Sequence, residues 1–366
     1  MANSKSKLQK ANSLLIFCFL IIAGLYFGAS VLIPITFAIF LSTLVLPISN
    51  FLEMRLEMGR IFSSLVSTLI LFLGISVIFF FLFRHLTIFL NDLLDRKEEI
   101  IKFVDFLQEN LVKSTGISLE EQNKIIQENL SETLKNVQVF LSDTLSDLTG
   151  VILKFLLTLI YVILILINRS KFFHFFMKYI PENKKENTSH ILNQTKLVAH
   201  NYLWGRIQVM LILAIMYTIT FFAYNLEYSV LLIIFGVLVT IIPYIGPFVS
   251  GLFPILFMMV LGDSSLEIIS FSVIVLIIQL IESYVLEPVI IGSEVQQSPL
   301  FVVLAIVLGG AIWGFAGLIL FVPLFGVLKI IFDNSNELKP LGFLIGYERP
   351  GAGADLYQKI KRKLKG

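Results

Sequence analysis

Residues 61–83 read IFSSLVSTLILFLGISVIFFFLF, twenty-three positions without a charged side chain. As helix, a run of that length rises about 35 Å, slightly more than the roughly 30 Å hydrocarbon core of a bilayer. Lipid offers no water to a bare peptide group, so such a segment must close its hydrogen bonds internally. Further apolar runs lie at 13–29, 31–50, 149–168, 206–226, 228–260, 266–286 and 300–332. Only 15% of the residues are charged, against about a quarter in soluble domains. The sequence therefore specifies an all-α polytopic membrane protein of about eight transmembrane segments.

The charges between the runs set an expected orientation, because Lys and Arg near span ends stay cytoplasmic. Lys5, Lys7 and Lys10 precede the first run, which reads as an uncleaved span rather than a signal peptide because a second long run follows it. Residues 90–148 carry twelve acidic and six basic residues, and 169–206 carry seven basic and two acidic. The chain ends in KIKRKLKG. Both termini and 169–206 are thus expected in the cytoplasm, and 90–148 outside. Four segments follow: three spans over 1–89, an extracytoplasmic insertion over 90–148, a transport core over 149–333 with the cytoplasmic loop 169–206, and a basic tail over 334–366. Leu90, Leu94, Ile101, Val104 and Leu107, then Ile126, Leu130, Leu134 and Val137, recur at helical spacing. This predicts an amphipathic helical hairpin. KFFHFFMKYIP (171–181) suits an interfacial helix lying on the membrane surface.

Two runs, 228–260 and 300–332, hold 33 residues each. As straight helix each would measure roughly 50 Å, too long for one crossing without strong tilt. Each is either one broken helix or a re-entrant hairpin. The first is interrupted by IIPYIGPFVSG (241–251), the second by LGGAIWGFAG and then Pro323. Pro243 and Pro247 cannot continue a helix unperturbed. The backbone groups they free must face protein or water rather than lipid. Paired broken segments are where transporters build substrate and ion sites. Pro243, Tyr244, Gly246 and Pro247 are therefore candidate pathway residues, as are Gly309, Gly310, Gly314 and Gly317. Glycines at such spacing also serve close helix packing.

Polar groups at membrane depth are the second clue, since they are costly there and usually functional. IIQLIESYVLEPVIIG (277–292) holds Gln279, Glu282 and Glu287 before Pro288. Gln279 and Glu282 stand three apart and share a helix face. A carboxylate there could bind a cation, exchange a proton or hydrogen-bond a polar solute. It could equally pair with Arg84, Arg206 or Lys154 for structure alone. No Walker A loop, catalytic-triad signature or HExxH motif occurs. His174, His190 and His200 match no metal spacing, and the single cysteine, Cys18, allows no internal disulfide. No enzyme activity, cofactor or metal is expected. The net charge of +2 gives no reason to expect nucleic acid as a partner.

Together, IIPYIGPFVSG, QLIESYVLEPVIIGSEVQQSPL and GGAIWGFAGLILFVPLFGVLK resemble the AI-2E transporter family, the autoinducer-2 exporter family of permeases. VLIPITFAIFLSTLVLPISNFLE and NYLWGRIQVMLILAI fit the same pattern, so the resemblance spans roughly 14–332. It implies an all-helical bacterial inner-membrane protein, a homo-oligomer, that exports autoinducer-2 or exchanges Na⁺ or Li⁺ for protons. WGRIQ departs from the family pattern, with Arg206 where the family often shows Gln and Gln208 two positions on. Three readings stand: export of a small polar solute such as autoinducer-2, Na⁺(Li⁺)/H⁺ antiport, and a non-transporting membrane scaffold. The expected partners are that solute or a monovalent cation and proton, together with the bilayer.

Overall fold

The computed structural model describes residues 2–95, 139, 148–261, 264–291 and 297–347. Among them the chain is helical almost throughout. In order the helices are α1 (Ala2–Phe27), α2 (Ala29–Arg55), α3 (Arg60–Asp95), α4 (Leu148–Lys178), α5 (Glu182–Ala223), α6 (Ser229–Val239), α7 (Ile245–Leu261) and α8 (Ser265–Ile281). A π-helical segment (Glu282–Ile291) continues α8, and α9 (Pro299–Trp313), α10 (Phe315–Asp333) and α11 (Lys339–Ile345) follow. Among the described residues six helices are long and apolar enough to cross a membrane, and shorter apolar helices accompany them. The chain is a polytopic, all-α membrane protein. Most of the amphipathic pair expected over 90–148 lies outside the described residues; of that stretch, 90–95 complete α3 and Leu148 begins α4.

The aromatic stretch after residue 170 forms no separate surface helix. It is the direct continuation of α4 as far as Lys178. Neither Gly nor Pro interrupts 151–180, so nothing breaks the ladder until the turn before Pro181.

The described chain falls into two compact units, each discontinuous in sequence. Unit 1 comprises 1–68, 158–206 and 288–366, and unit 2 comprises 69–157 and 207–287. In unit 1, α2 and α3 bury a series of hydroxyl residues: Ser42, Ser49, Ser63, Ser64, Ser67 and Thr68. Most return the hydroxyl to their own helix, as Ser42 does to the Ile39 carbonyl (2.7 Å) and Thr68 to that of Ser64 (2.8 Å). A small side chain so satisfied lets helices approach without leaving a polar group bare.

The run 300–332 proves to be a hairpin. α9 and α10 turn back on each other at Gly314, whose φ of 58° and ψ of −136° belong to a region open essentially to glycine alone. Beyond the turn Gly309 meets Gly317 backbone to backbone, and a Cβ on either would collide with the other's carbonyl. Trp313 donates from Nε1 to the Leu25 carbonyl (2.9 Å), tying the hairpin tip to α1. Its base is closed by α11, where the Ser298 amide donates to the Ile345 carbonyl (2.8 Å). Gln297 donates to the Val322 carbonyl (3.1 Å).

The run 228–260, in unit 2, is also a hairpin. α6 has 11 residues and α7 has 17, so they measure about 16 and 25 Å and neither crosses the hydrocarbon core alone. Phe235 packs on Phe253 with centroids 5.2 Å apart, and Gly236 faces Ser250. Between the arms, Gly246 donates to the Ile242 carbonyl (2.8 Å), and Tyr244 takes a positive φ of 63°. Gly246 lies so close to Val239 and Thr240 that a Cβ would strike their backbone. At the hairpin base Tyr228 donates to Asp92 (2.8 Å), and its ring meets Phe89 edge-on.

A buried polar network at the middle of α8

Unit 2 carries one polar cluster that an apolar segment has no structural need to contain. Its centre is Gln279, at the middle of the apolar stretch Ser265–Ile291. Around it stand Tyr217 on α5, Pro247, Ser250 and Gly251 on α7, and Glu282 at the first turn of the π-helical segment. Tyr217, Ser250 and Glu282 each have 0% of their surface exposed.

The neighbours decide how the Gln279 amide is turned. With its oxygen toward the hydroxyls, it accepts from Tyr217 (2.5 Å), Ser250 (3.1 Å) and the Gly251 amide (3.3 Å). Its Nε2 then donates to the Pro247 carbonyl (2.9 Å) and to Glu282 Oε2 (3.1 Å). The reverse orientation keeps only the two hydroxyl contacts, so the first is the one the network selects. Tyr217 Oη and Ser250 Oγ also lie 3.3 Å apart, and Ser250 Oγ is 3.3 Å from the Pro247 carbonyl. Two hydroxyl protons thus have three acceptors to choose among. The hydroxyl protons can therefore be redistributed within the cluster.

Local sequence explains why these groups converge. Pro247 occupies the first turn of α7, where its missing N–H costs nothing. Pro254 lies inside α7 and cannot donate to the carbonyl four residues back, which is that of Ser250. Backbone and side chain at 250 are therefore both available to polar partners. Gly251 has no side chain because Gln279 occupies that space: a Cβ there would stand 2.9 Å from Gln279 Cγ. On α5, Tyr217 stacks on Phe221 (5.1 Å), which meets Phe271 of α8 (5.5 Å). This aromatic wall closes one side of the network. From Glu282 onward the backbone widens to the π form, which is rare and occurs mostly at functional sites.

Of the residues singled out from sequence, the structure brings Pro247, Gln279 and Glu282 together. Pro243, Tyr244 and Gly246 form the turn of the α6–α7 hairpin, and Tyr244 is exposed. Glu287 lies within electrostatic reach of the Tyr244 phenol, and Pro288 is in the π-helical segment. Gly309, Gly310, Gly314 and Gly317 serve the α9–α10 hairpin of unit 1. Arg206 is buried within unit 1, at 3% exposure. Sequence reasoning missed Tyr217, Ser250 and Gly251. The only signal for Ser250 and Gly251 was their place in the quoted PYIGPFVSG string, and Tyr217 had none. No group of three or more His, Cys, Asp or Glu side chains suited to a metal occurs among the described residues.

The chain is similar to known proteins over most of its length. The AI-2E family transporter description matches residues 15–337. A candidate transport protein of Bacillus subtilis (strain 168), YrrI, is 25% identical over 308 residues, covering 82% of this chain and 86% of that one. A second from the same organism, YueF, is 27% identical over 219 residues, 58% of each chain. A candidate transport protein of Haemophilus influenzae is 25% identical over 337 residues, 89% of this chain and 93% of its own.

Proposed function

The chain belongs to the AI-2E transporter family, and from that premise we propose that it exports a small polar solute such as autoinducer-2, with the Gln279 network as its recognition site. The observation that carries this reading is the network itself, a hydrogen-bonded cluster from three helices at the middle of an apolar segment. A polyhydroxylated solute needs donors and acceptors that exchange roles, and Tyr217, Ser250 and Gln279 supply both. Such a solute would replace intramolecular hydrogen bonds one for one, so its transfer from water needs no strong charge. No ATP-binding motif is present in the sequence, so the driving force is a gradient. The charge asymmetry of the loops supports an inner-membrane protein with both termini in the cytoplasm. The apolar side chains that face outward from the described residues suit contact with lipid, and assembly as a homo-oligomer is part of the proposal.

The test is efflux of labelled autoinducer-2 from proteoliposomes. Gln279→Leu keeps the side-chain volume and removes every polar contact of that residue. Efflux is expected to fall about tenfold or more, since each lost polar contact is worth roughly 1 kcal/mol. Unchanged efflux by a folded Gln279→Leu protein would sink the reading.

One observation favours a second reading. Glu282 is wholly buried at membrane depth, where a carboxylate is costly and suited to exchanging a proton for a cation. In Na⁺(Li⁺)/H⁺ antiport, Glu282 would alternate between proton and cation, and the Pro247 carbonyl and the hydroxyls would supply hard oxygen ligands. Addition of Na⁺ or Li⁺ outside tight liposomes holding a pH dye separates the two. A cation-driven pH change that Glu282→Gln abolishes selects antiport, and no change in wild type rejects it. The scaffold reading predicts neither signal.

A further inference from the structure

Unit 1 holds a second polar cluster, unrelated to the Gln279 network. Glu53 of α2 receives Arg169 of α4, whose Nη2 donates to Oε2 at 2.7 Å. Arg60, at the start of α3, stands 3.9 Å from the same carboxylate oxygen through Nε. It donates from Nη1 to Ser170 Oγ (3.0 Å). Lys196 of α5 lies within electrostatic reach of Arg169 and repels it. It has no carboxylate partner among the described residues. Two guanidinium groups therefore face one carboxylate, and the Lys196 ammonium adds a further positive charge within reach of Arg169.

One atom marks what is missing. Arg169 Nη1 is shielded from solvent and has no hydrogen-bond partner among the described residues. A guanidinium normally spends such a pair of N–H groups on a second oxygen, because its fork matches carboxylate and phosphate geometry. Leaving it bare costs more than leaving a neutral donor bare. Glu53 does not fill this role: its Oε2 takes Nη2, its Oε1 lies 3.5 Å from Ser49 Oγ, and neither oxygen pairs with Nη1. An oxyanion held between Arg169 Nη1 and the Lys196 ammonium would satisfy the bare donor and offset the surplus charge together.

We propose that Arg169 and Lys196, backed by Arg60, form a binding site for a phosphate group at this end of unit 1. The chemistry is that of a phosphate monoester or diester. The surroundings favour a phospholipid headgroup as its source. Directly after Ser170 come Lys171 and the exposed Phe172, Phe173, Phe175 and Phe176, a basic and aromatic sequence of the kind that sits at headgroup level. Basic pockets between transmembrane helices take anionic headgroups in this way. The site is independent of the solute carried.

The full chain, purified in detergent, is titrated with phosphatidylglycerol and with phosphatidylcholine, and bound lipid is counted by native mass spectrometry. Inorganic phosphate is titrated in parallel against the thermal unfolding temperature. Lys196→Gln is the informative variant, because Lys196 is exposed and breaks no ion pair when removed. Its unfolding temperature without ligand checks that it folds as wild type does. For a lipid site, wild type prefers phosphatidylglycerol, Lys196→Gln loses about tenfold in that affinity, and Lys196→Arg restores it. For a soluble phosphate compound, inorganic phosphate raises the unfolding temperature of wild type and not of Lys196→Gln, while lipid binding is equal in both. If wild type and Lys196→Gln respond alike to both probes, the site does not exist.

Discussion

At the scale of single residues, the same functional group, a hydroxyl, does two different jobs in this protein. Thr218 turns its hydroxyl back to the Ala214 carbonyl (2.6 Å) on an exposed face, whereas its neighbour Tyr217 sends its own across to α7 and α8. Removing each hydroxyl should separate the two roles. Tyr217→Phe is expected to cost about 1 kcal/mol of stability and to impair transport. Thr218→Val should leave both within error, as read from thermal unfolding of the purified protein and proteoliposome efflux. Gly251 gives a sharper case, because alanine there would push on Gln279 Cγ from 2.9 Å. Gly251→Ala should displace the amide from the Pro247 carbonyl and lower transport about tenfold while the protein still folds. Normal transport by Gly251→Ala would mean that the amide's position is unimportant. Gln279 and Glu282 were legible in the sequence because an amide and a carboxylate in an apolar run must each find a partner, structural or functional. Tyr217 and Ser250 were not, because Tyr and Ser are ordinary residents of membrane helices and can satisfy themselves locally, as Ser42 and Thr68 do.

At the scale of elements, the two hairpins rest on different devices. α9 and α10 touch backbone to backbone at Gly309 and Gly317 and turn at a glycine-only conformation. α6 and α7 interleave aromatic rings instead and turn through the two prolines. Gly317→Ala is therefore expected to force the α9–α10 arms apart and cost about 1–3 kcal/mol. Gly314→Ala should cost a similar amount, about 1–3 kcal/mol, from backbone strain alone. Gly24→Ala, whose added Cβ meets nothing within 4 Å, supplies the baseline, and a thermal melt in detergent ranks the three. Helix propensity by itself favours alanine at Gly24, so a fall for Gly24→Ala as large as for Gly317→Ala would mean that the close approach of the α9–α10 arms does not set the order. The sequence announced a break in each 33-residue run, since each is too long for one crossing and holds proline or clustered glycine, although Pro323, expected to interrupt the second run, lies inside α10. It left open whether each break bends a helix or reverses it, because the residues needed for either are the same.

At the scale of the whole molecule, that choice determines which side of the membrane each later loop faces. A segment that crosses once changes sides, and a hairpin returns to the side it left. If the termini lie in the cytoplasm, as the loop charges predict, hairpins at 228–260 and 300–332 would put the connection after the π-helical segment in the cytoplasm too. A cysteine at Ser293, in a Cys18→Ser background, should react with a membrane-impermeant maleimide only from the cytoplasmic side. Reaction from outside alone would mean that both segments cross. What the sequence by itself determined is the class of the protein. Apolar runs of bilayer length must be helices, since lipid cannot hydrate a backbone, and charge asymmetry gives an expected orientation that needs no coordinates. What only the tertiary structure decided is who meets whom. Two units interleaved along the chain, the reversal of two broken runs, and the meeting of residues 217, 247, 250, 279 and 282 depend on contacts between positions far apart in sequence. Composition and periodicity report each segment's affinity for lipid, and that affinity is equally well met by many packings. Polar groups decide among them, because each must find a partner and only a few arrangements provide one.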